Sequence, residues 1–247
     1  MNFNSILPLK LNIPNLNFGS RSLIRPVAKP VKDGFVTNPI YEKFGTKEQI
    51  EATIKKNLRI QEILTKYNIP AKINMEELEN LKRGHMNSTR VVSTQIYSSL
   101  PAELKNSVDL SSLQEAAILH DYGKVLIPSN ILNKKGNLTP QEREIMNLHS
   151  ELGYELLKDK GLSEKTLNLI KYHHQDLKGS GYPAKVNNDV YDINTEILTT
   201  ADKFCALREK RCYKNPLAKF EALEIIAKDV NNGKLSQEVY TALIKSV

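Results

Sequence analysis

Residues 111–157, SSLQEAAILHDYGKVLIPSNILNKKGNLTPQEREIMNLHSELGYELL, decide the fold. The first part predicts a helix over about 111–122, with Leu113, Ala116, Ala117 and His120 on one face. Pro128, Asn133, Gly136 and Asn137 then mark a loop. A new helix has a strong start: Thr139 can cap, Pro140 suits the first helical position and Glu142 completes a capping box. Along it Ile145, His149, Leu152 and Leu156 form one stripe. Two histidines therefore stand where core residues stand. A buried neutral imidazole needs a partner for each ring nitrogen, or it must ligate a metal.

Working outward, the same helical period continues in both directions. Thr46 opens a charged segment in which Ile50, Ile54, Leu58 and Ile60 or Leu64 recur at helical spacing until Asn68, Ile69 and Pro70 break it. A helix is predicted from about 75 to 100, with His85 on the stripe of Leu78, Leu81, Val92 and Ile96. Further helices are predicted at about 163–174, 194–209, 215–230 and 235–246. His173 and His174 follow Leu167 and Ile170 on the first of these, and Asp202 follows Leu198 and Ala201 on the second. The loop from 179 to 192 holds two glycines and a proline. With no internal repeat and little alternating pattern, the class is all-α. Residues 1–45, broken by Pro8, Pro14, Pro26, Pro30 and Pro39, read as a poorly structured tail, 46–74 as a leading helix and linker, and 75–247 as the main helical domain.

Composition narrows the class without deciding it. Of 247 residues, 40% are hydrophobic and 26% charged, which suits a globular chain with a core. The net charge of +7 is spread among glutamates, and no clear nucleic-acid motif accompanies it. Cys205 and Cys212 do not make a disulfide framework, and no apolar run reaches the length of a membrane span. A cytoplasmic location is the expectation.

The chain has five histidines, and four separate predicted helices carry them on or beside apolar faces. One such histidine is commonly a satisfied core group. All of them together, with Asp121 and Asp202, form a ligand set too large for one ion. Mixed imidazole and carboxylate donors suit borderline first-row metals. Two cations sharing Asp121 and a hydroxide would absorb the set and serve phosphoryl transfer to water.

These motifs resemble those of the HD-GYP family, a branch of the HD metal-dependent phosphohydrolases. The likeness runs over roughly residues 75–245. It is carried by AAILHDYGKVLIPSNILNKKGNLTPQEREIMNLHSELGYELL at 116–157, YHHQDLKGSGYP at 172–183 and TADKFCALREKRCYK at 200–214. The resemblance implies an HD-type helical bundle with a short loop at Gly181, Tyr182 and Pro183. It implies that His85, His120, Asp121 and Asp202 hold a first metal. Asp121, His149 and His173 would hold a second, with His174 beside them as a further ligand, or on a third metal in members that have one. Asp121 and Lys124 would be catalytic, and Lys124, Tyr182, Arg211 and Lys214 would contact substrate. The cofactors would be two divalent ions, Fe or Mn before Zn, Co or Ni.

The departures are specific. Leu81 stands where some members place a glutamate for a third metal, so two metals are expected. Gln175, Lys178 and Cys205 replace usual acids, and Cys212 replaces a proline. The implied activity is hydrolysis of cyclic di-GMP to the linear dinucleotide or GMP by a metal-activated hydroxide. The alternatives are another cyclic dinucleotide or nucleotide as substrate, and a binding adaptor in signalling. A protein partner would dock through the tail.

Overall fold

The structure is a computed structural model that describes residues 43–183, 191–209 and 215–247. The expected tail lies outside the described residues up to position 42. So do Arg211, Cys212 and Lys214.

The described residues are helical, and no strand occurs among them. Helix α1 (Lys47–Lys56) starts at Thr46 through a capping box with Gln49. Helix α2 (Leu58–Lys66) follows at once, because the Asn57 side chain accepts from the Ile60 backbone N–H and restarts the helix. The periodicity predicted one helix here. The restart shifts its phase, so Ile50, Ile54, Ile60 and Leu64 are buried while Leu58 is 73% exposed.

A second correction concerns the helix predicted over 75–100. It is α3 (Met75–Leu81), a π turn (Lys82–Met86) and α4 (Asn87–Ser99) in succession. The wider turn inserts an extra residue into the helical ladder and rotates all that follows. His85 sits inside it.

After the short α5 (Ala102–Lys105), helix α6 (Leu110–Leu119) is capped by Asp109, whose carboxylate accepts from the Ser112 N–H. Its Leu113, Ala116, Ala117, Ile118 and Leu119 are all buried, so α6 is an interior helix. The helix predicted to Tyr122 ends earlier. Tyr122–Leu126 form a 3-10 turn, followed by α7 (Ser129–Leu132). Helices α8 (Pro140–Asn147) and α9 (His149–Leu157) meet at Leu148, and Thr139 and Glu142 make the expected capping box. Helix α10 (Glu164–Tyr172) is capped by Ser163. Helices α11 (Ile193–Arg208), α12 (Lys219–Asn231) and α13 (Gln237–Ser246) complete the described chain.

The packing gathers every histidine-bearing element. Helix α4 lies against α6, α11 and α13, and α10 packs on both α6 and α9. The 3-10 turn lies directly on α9. That approach depends on Gly123, where a Cβ would stand 2.0 Å from the His149 carbonyl oxygen.

Candidate metal centre

Three of the five histidines occur where an α-helix ends. The last carbonyls of a helix have no partner within it. His120 closes α6 and its Nδ1 donates to the Ala117 carbonyl at 2.9 Å. His149, just past α8, donates from Nδ1 to Met146 at 2.7 Å, and His173, just past α10, to Ile170 at 2.7 Å. Each bond places a ring proton on Nδ1, so that a neutral ring presents its lone pair at Nε2.

The Nε2 atoms converge. His149 Nε2 lies 3.2 Å from His173 Nε2 and 3.1 Å from His174 Nε2. Asp121 sits between two groups. Its Oδ1 is 3.4 Å from His149 Nε2, while its Oδ2 is 3.5 Å from both His85 Nε2 and His120 Nε2. Asp202 Oδ1 is 2.8 Å from His85 Nε2 and 3.7 Å from His120 Nε2. The seven residues fall into overlapping triads: His149, His173 and His174; His85, His120 and Asp202; His120, Asp121 and His173. His174 thus groups with His149 and His173.

Burial sets the charge states. It drives His149 down to about 4, His174 to about 3 and His173 well below the ordinary imidazole value. Burial would lower His120 too, but the Asp121 and Asp202 carboxylates outweigh it and raise His120 to about 10. Both aspartates are held well below the usual carboxylate range against the cost of burial, Asp121 by Lys124 and His120, Asp202 by His120 and His85.

These donors fit divalent cations. His149 and His173 have spent their Nδ1 protons on carbonyls, so their Nε2 lone pairs face each other and repel unless a positive charge lies between them. His120 Nε2 is fully buried with no hydrogen-bond partner. Two donors on one cation with bonds near 2.1 Å are separated by about 3.0–3.4 Å, and the Nε2 contacts of His149 fall in that range.

Lys124 lies in the 3-10 turn with its ammonium 2.6 Å from Asp121 Oδ2. The Tyr182 ring packs 4.5 Å from that of His174, and burial raises its phenol so that the hydroxyl keeps its proton. The Tyr182 N–H donates to the His174 carbonyl, which closes the loop onto the histidine pair. Gly179 has a left-handed backbone, with φ at 65°. Gly181 is required for a different reason, since a Cβ there would stand 2.0 Å from the His174 carbonyl oxygen.

The sequence reading missed Asp176 and Glu209 here and took Gln175 only as a lost carboxylate. Asp176 holds the loop from below, accepting from the backbone N–H groups of Lys178 and Ser180. Gln175 is buried, and its Nε2 donates to the Pro183 carbonyl at 2.5 Å, a bond that a carboxylate could not donate. Glu209 approaches His85 from the end of α11. The Asx pattern of Asp176 was legible in DLKGS, whereas the long-range contacts of Gln175 and Glu209 left no local signal.

Residues 72–239 match the model of a family described as the HD domain. The chain is 38% identical over 143 residues to a cyclic di-GMP phosphodiesterase of Thermotoga maritima, covering 57% of this chain and 38% of that one. It is 42% identical over 106 residues to the 3'3'-cGAMP-specific phosphodiesterase 2 of Vibrio cholerae, covering 42% of this chain and 20% of the relative. The matches thus span less than half the length of either relative. Among solved structures, the fold is similar to Bd1817, a HDG"Y"P protein from Bdellovibrio bacteriovorus, at a TM-score of 0.55 and 19% identity, covering 84% of this chain and 67% of that one.

Proposed function

The chain belongs to the HD-domain family, in its HD-GYP branch, and on that premise we propose that it is a metal-dependent phosphodiesterase that opens cyclic di-GMP. The observation that carries this reading is the Asp121 carboxylate, which presents one oxygen to His149 and the other to His85 and His120. When bound, a pair of cations, Fe or Mn in this reading, supplies Lewis acidity toward phosphoryl oxygens and acidifies water for in-line attack.

The chain's own groups do the rest. The histidines and aspartates hold the cations in one place, with three imidazoles fixed by backbone carbonyls. Lys124 keeps a positive charge beside Asp121, where it can meet charge that develops on the phosphate. Tyr182, protonated and packed on His174, offers a hydroxyl at the rim. Arg211 and Lys214 are assigned to the substrate phosphates from the resemblance alone.

Purified protein loaded with Mn²⁺ should linearise cyclic di-GMP. Asp121→Ala should lower kcat by about 10³-fold or more, the scale of losing a central electrostatic group. Equal turnover by the two proteins, or none by a fully metallated wild type, would refute the proposal. A second reading, hydrolysis of 3'3'-cGAMP, is favoured by the relative that is 42% identical. Assaying both dinucleotides side by side separates the two.

A further inference from the structure

Three imidazoles at the centre are oriented by carbonyls of their own helix ends, and His85 is not. It lies inside the π turn, in a continuous run of helical backbone. Its Nδ1 is buried with no aligned hydrogen-bond acceptor, and the oxygen beside it is Glu209 Oε2, at an ion-pair distance of 2.9 Å. On the other side of the ring, Nε2 meets Asp202 Oδ1 at 2.8 Å. Asp202 and Glu209 are seven positions apart on α11 and its cap, two helical turns, and so lie on one face. One helix therefore brackets both nitrogens of one imidazole. The backbone of Glu209 is anchored, with its N–H donating to the Cys205 carbonyl. The terminal carboxylate torsion is soft, so aligning it with an Nδ1–H costs little.

We propose that Glu209 is a positioning residue for His85: it draws the ring proton to Nδ1 and turns the Nε2 lone pair toward Asp121 and Asp202. The inference rests on the metal-centre reading above and extends it to a residue outside the ligand set. A carboxylate behind a ligand imidazole orients the ring and makes it more basic, and its loss typically costs 10–100-fold in metal affinity. Because His85 belongs to the group with His120 and Asp202, the effect is selective. The site built on His149, His173 and His174 is left intact.

The test uses the full chain and Mn²⁺ alone. Wild type, Glu209→Ala and Glu209→Gln are titrated against a competing chelator, and the electron paramagnetic resonance of the bound Mn²⁺ is recorded. In wild type, two equivalents should bind and show the exchange-coupled signal of neighbouring ions. In Glu209→Ala, one equivalent should weaken by about 10–100-fold, with a single-ion spectrum at limiting metal. Glu209→Gln should recover part of the loss, since its amide oxygen still accepts from Nδ1–H but carries no charge. Glu209 is 30% exposed, so neither substitution leaves a sealed cavity, and circular dichroism checks that both variants fold.

Two wild-type affinities in Glu209→Ala overturn the assignment, whatever the turnover. A wild type that binds two Mn²⁺ but cleaves no cyclic dinucleotide refutes the functional reading and leaves the assignment standing. A wild type that binds no Mn²⁺ overturns both.

Discussion

A methyl group on Gly123 would stand 2.0 Å from the His149 carbonyl oxygen and 2.5 Å from the Gly153 nitrogen. Both are backbone atoms, so no side chain can swing aside. The 3-10 turn and α9 would have to separate, and with them Asp121 and His149. Gly123→Ala should therefore cost about 3 kcal/mol, the upper range for overpacking an interior, read as a lower urea midpoint at unchanged slope. Metal should be lost with it. Gly84 makes the control, since nothing lies within 4 Å of where its Cβ would stand and its φ is not positive. Gly84→Ala should fold with no loss of stability. If the two variants melt alike, close approach at Gly123 is not what seats the turn.

At the scale of helices, the site is largely a matter of how they end. Asp192 begins α11, the helix of Asp202 and Glu209, and its carboxylate accepts from the N–H groups of Asn194 and Thr195 and pairs with Lys165. Burial opposes its charge, but Lys165 and the cap bonds prevail and hold the carboxyl below its ordinary value. A group depressed on folding stabilises fully above its unfolded pKa, roughly 3.9. That contribution is lost as pH falls through the lower folded value. Asp192→Asn keeps a capping oxygen and removes the charge, so it should cost about 1 kcal/mol at pH 7, the scale of an ion pair and of a carboxylate at a helix N-terminus. The gap to wild type should close between about pH 4 and 2, followed by denaturant melts at each pH. A gap that holds constant with pH would assign the cost to packing.

This scale also shows where sequence and structure part. The Thr139, Pro140 and Glu142 start was legible because a capping box is local. The restart at Asn57 and the π turn at Lys82–Met86 were not, because apolar period alone cannot register a break that keeps the chain helical. The histidine faces were legible. The carbonyls that orient three of those rings become visible only once the helix ends are fixed.

Taken whole, the chain buries a concentration of polar groups that its fold alone does not satisfy. His120, Asp121, His149 and His173 are all at most 1% exposed, and the Nε2 atoms of His149 and His173 face each other at 3.2 Å with both Nδ1 protons held by carbonyls. Such groups raise the energy of the native state until something positive occupies their centre. No comparable arrangement exists in the unfolded chain, since the ligands come from five regions between positions 85 and 202. A cation therefore binds the folded state in preference, and its binding free energy becomes folding free energy. At a free concentration 100-fold above its dissociation constant, one cation adds about 2.7 kcal/mol. For a chain of this size that corresponds to about 5–10 °C in Tm. Protein stripped with a chelator and dialysed free of it should melt that much lower, and Mn²⁺ should restore the loss in proportion to the logarithm of its concentration. Asp121→Ala should melt at nearly one temperature with or without Mn²⁺. Coincident melting curves for stripped and reloaded wild type would mean that the seven side chains settle among themselves, and the centre would then be a polar core and not a site for cations.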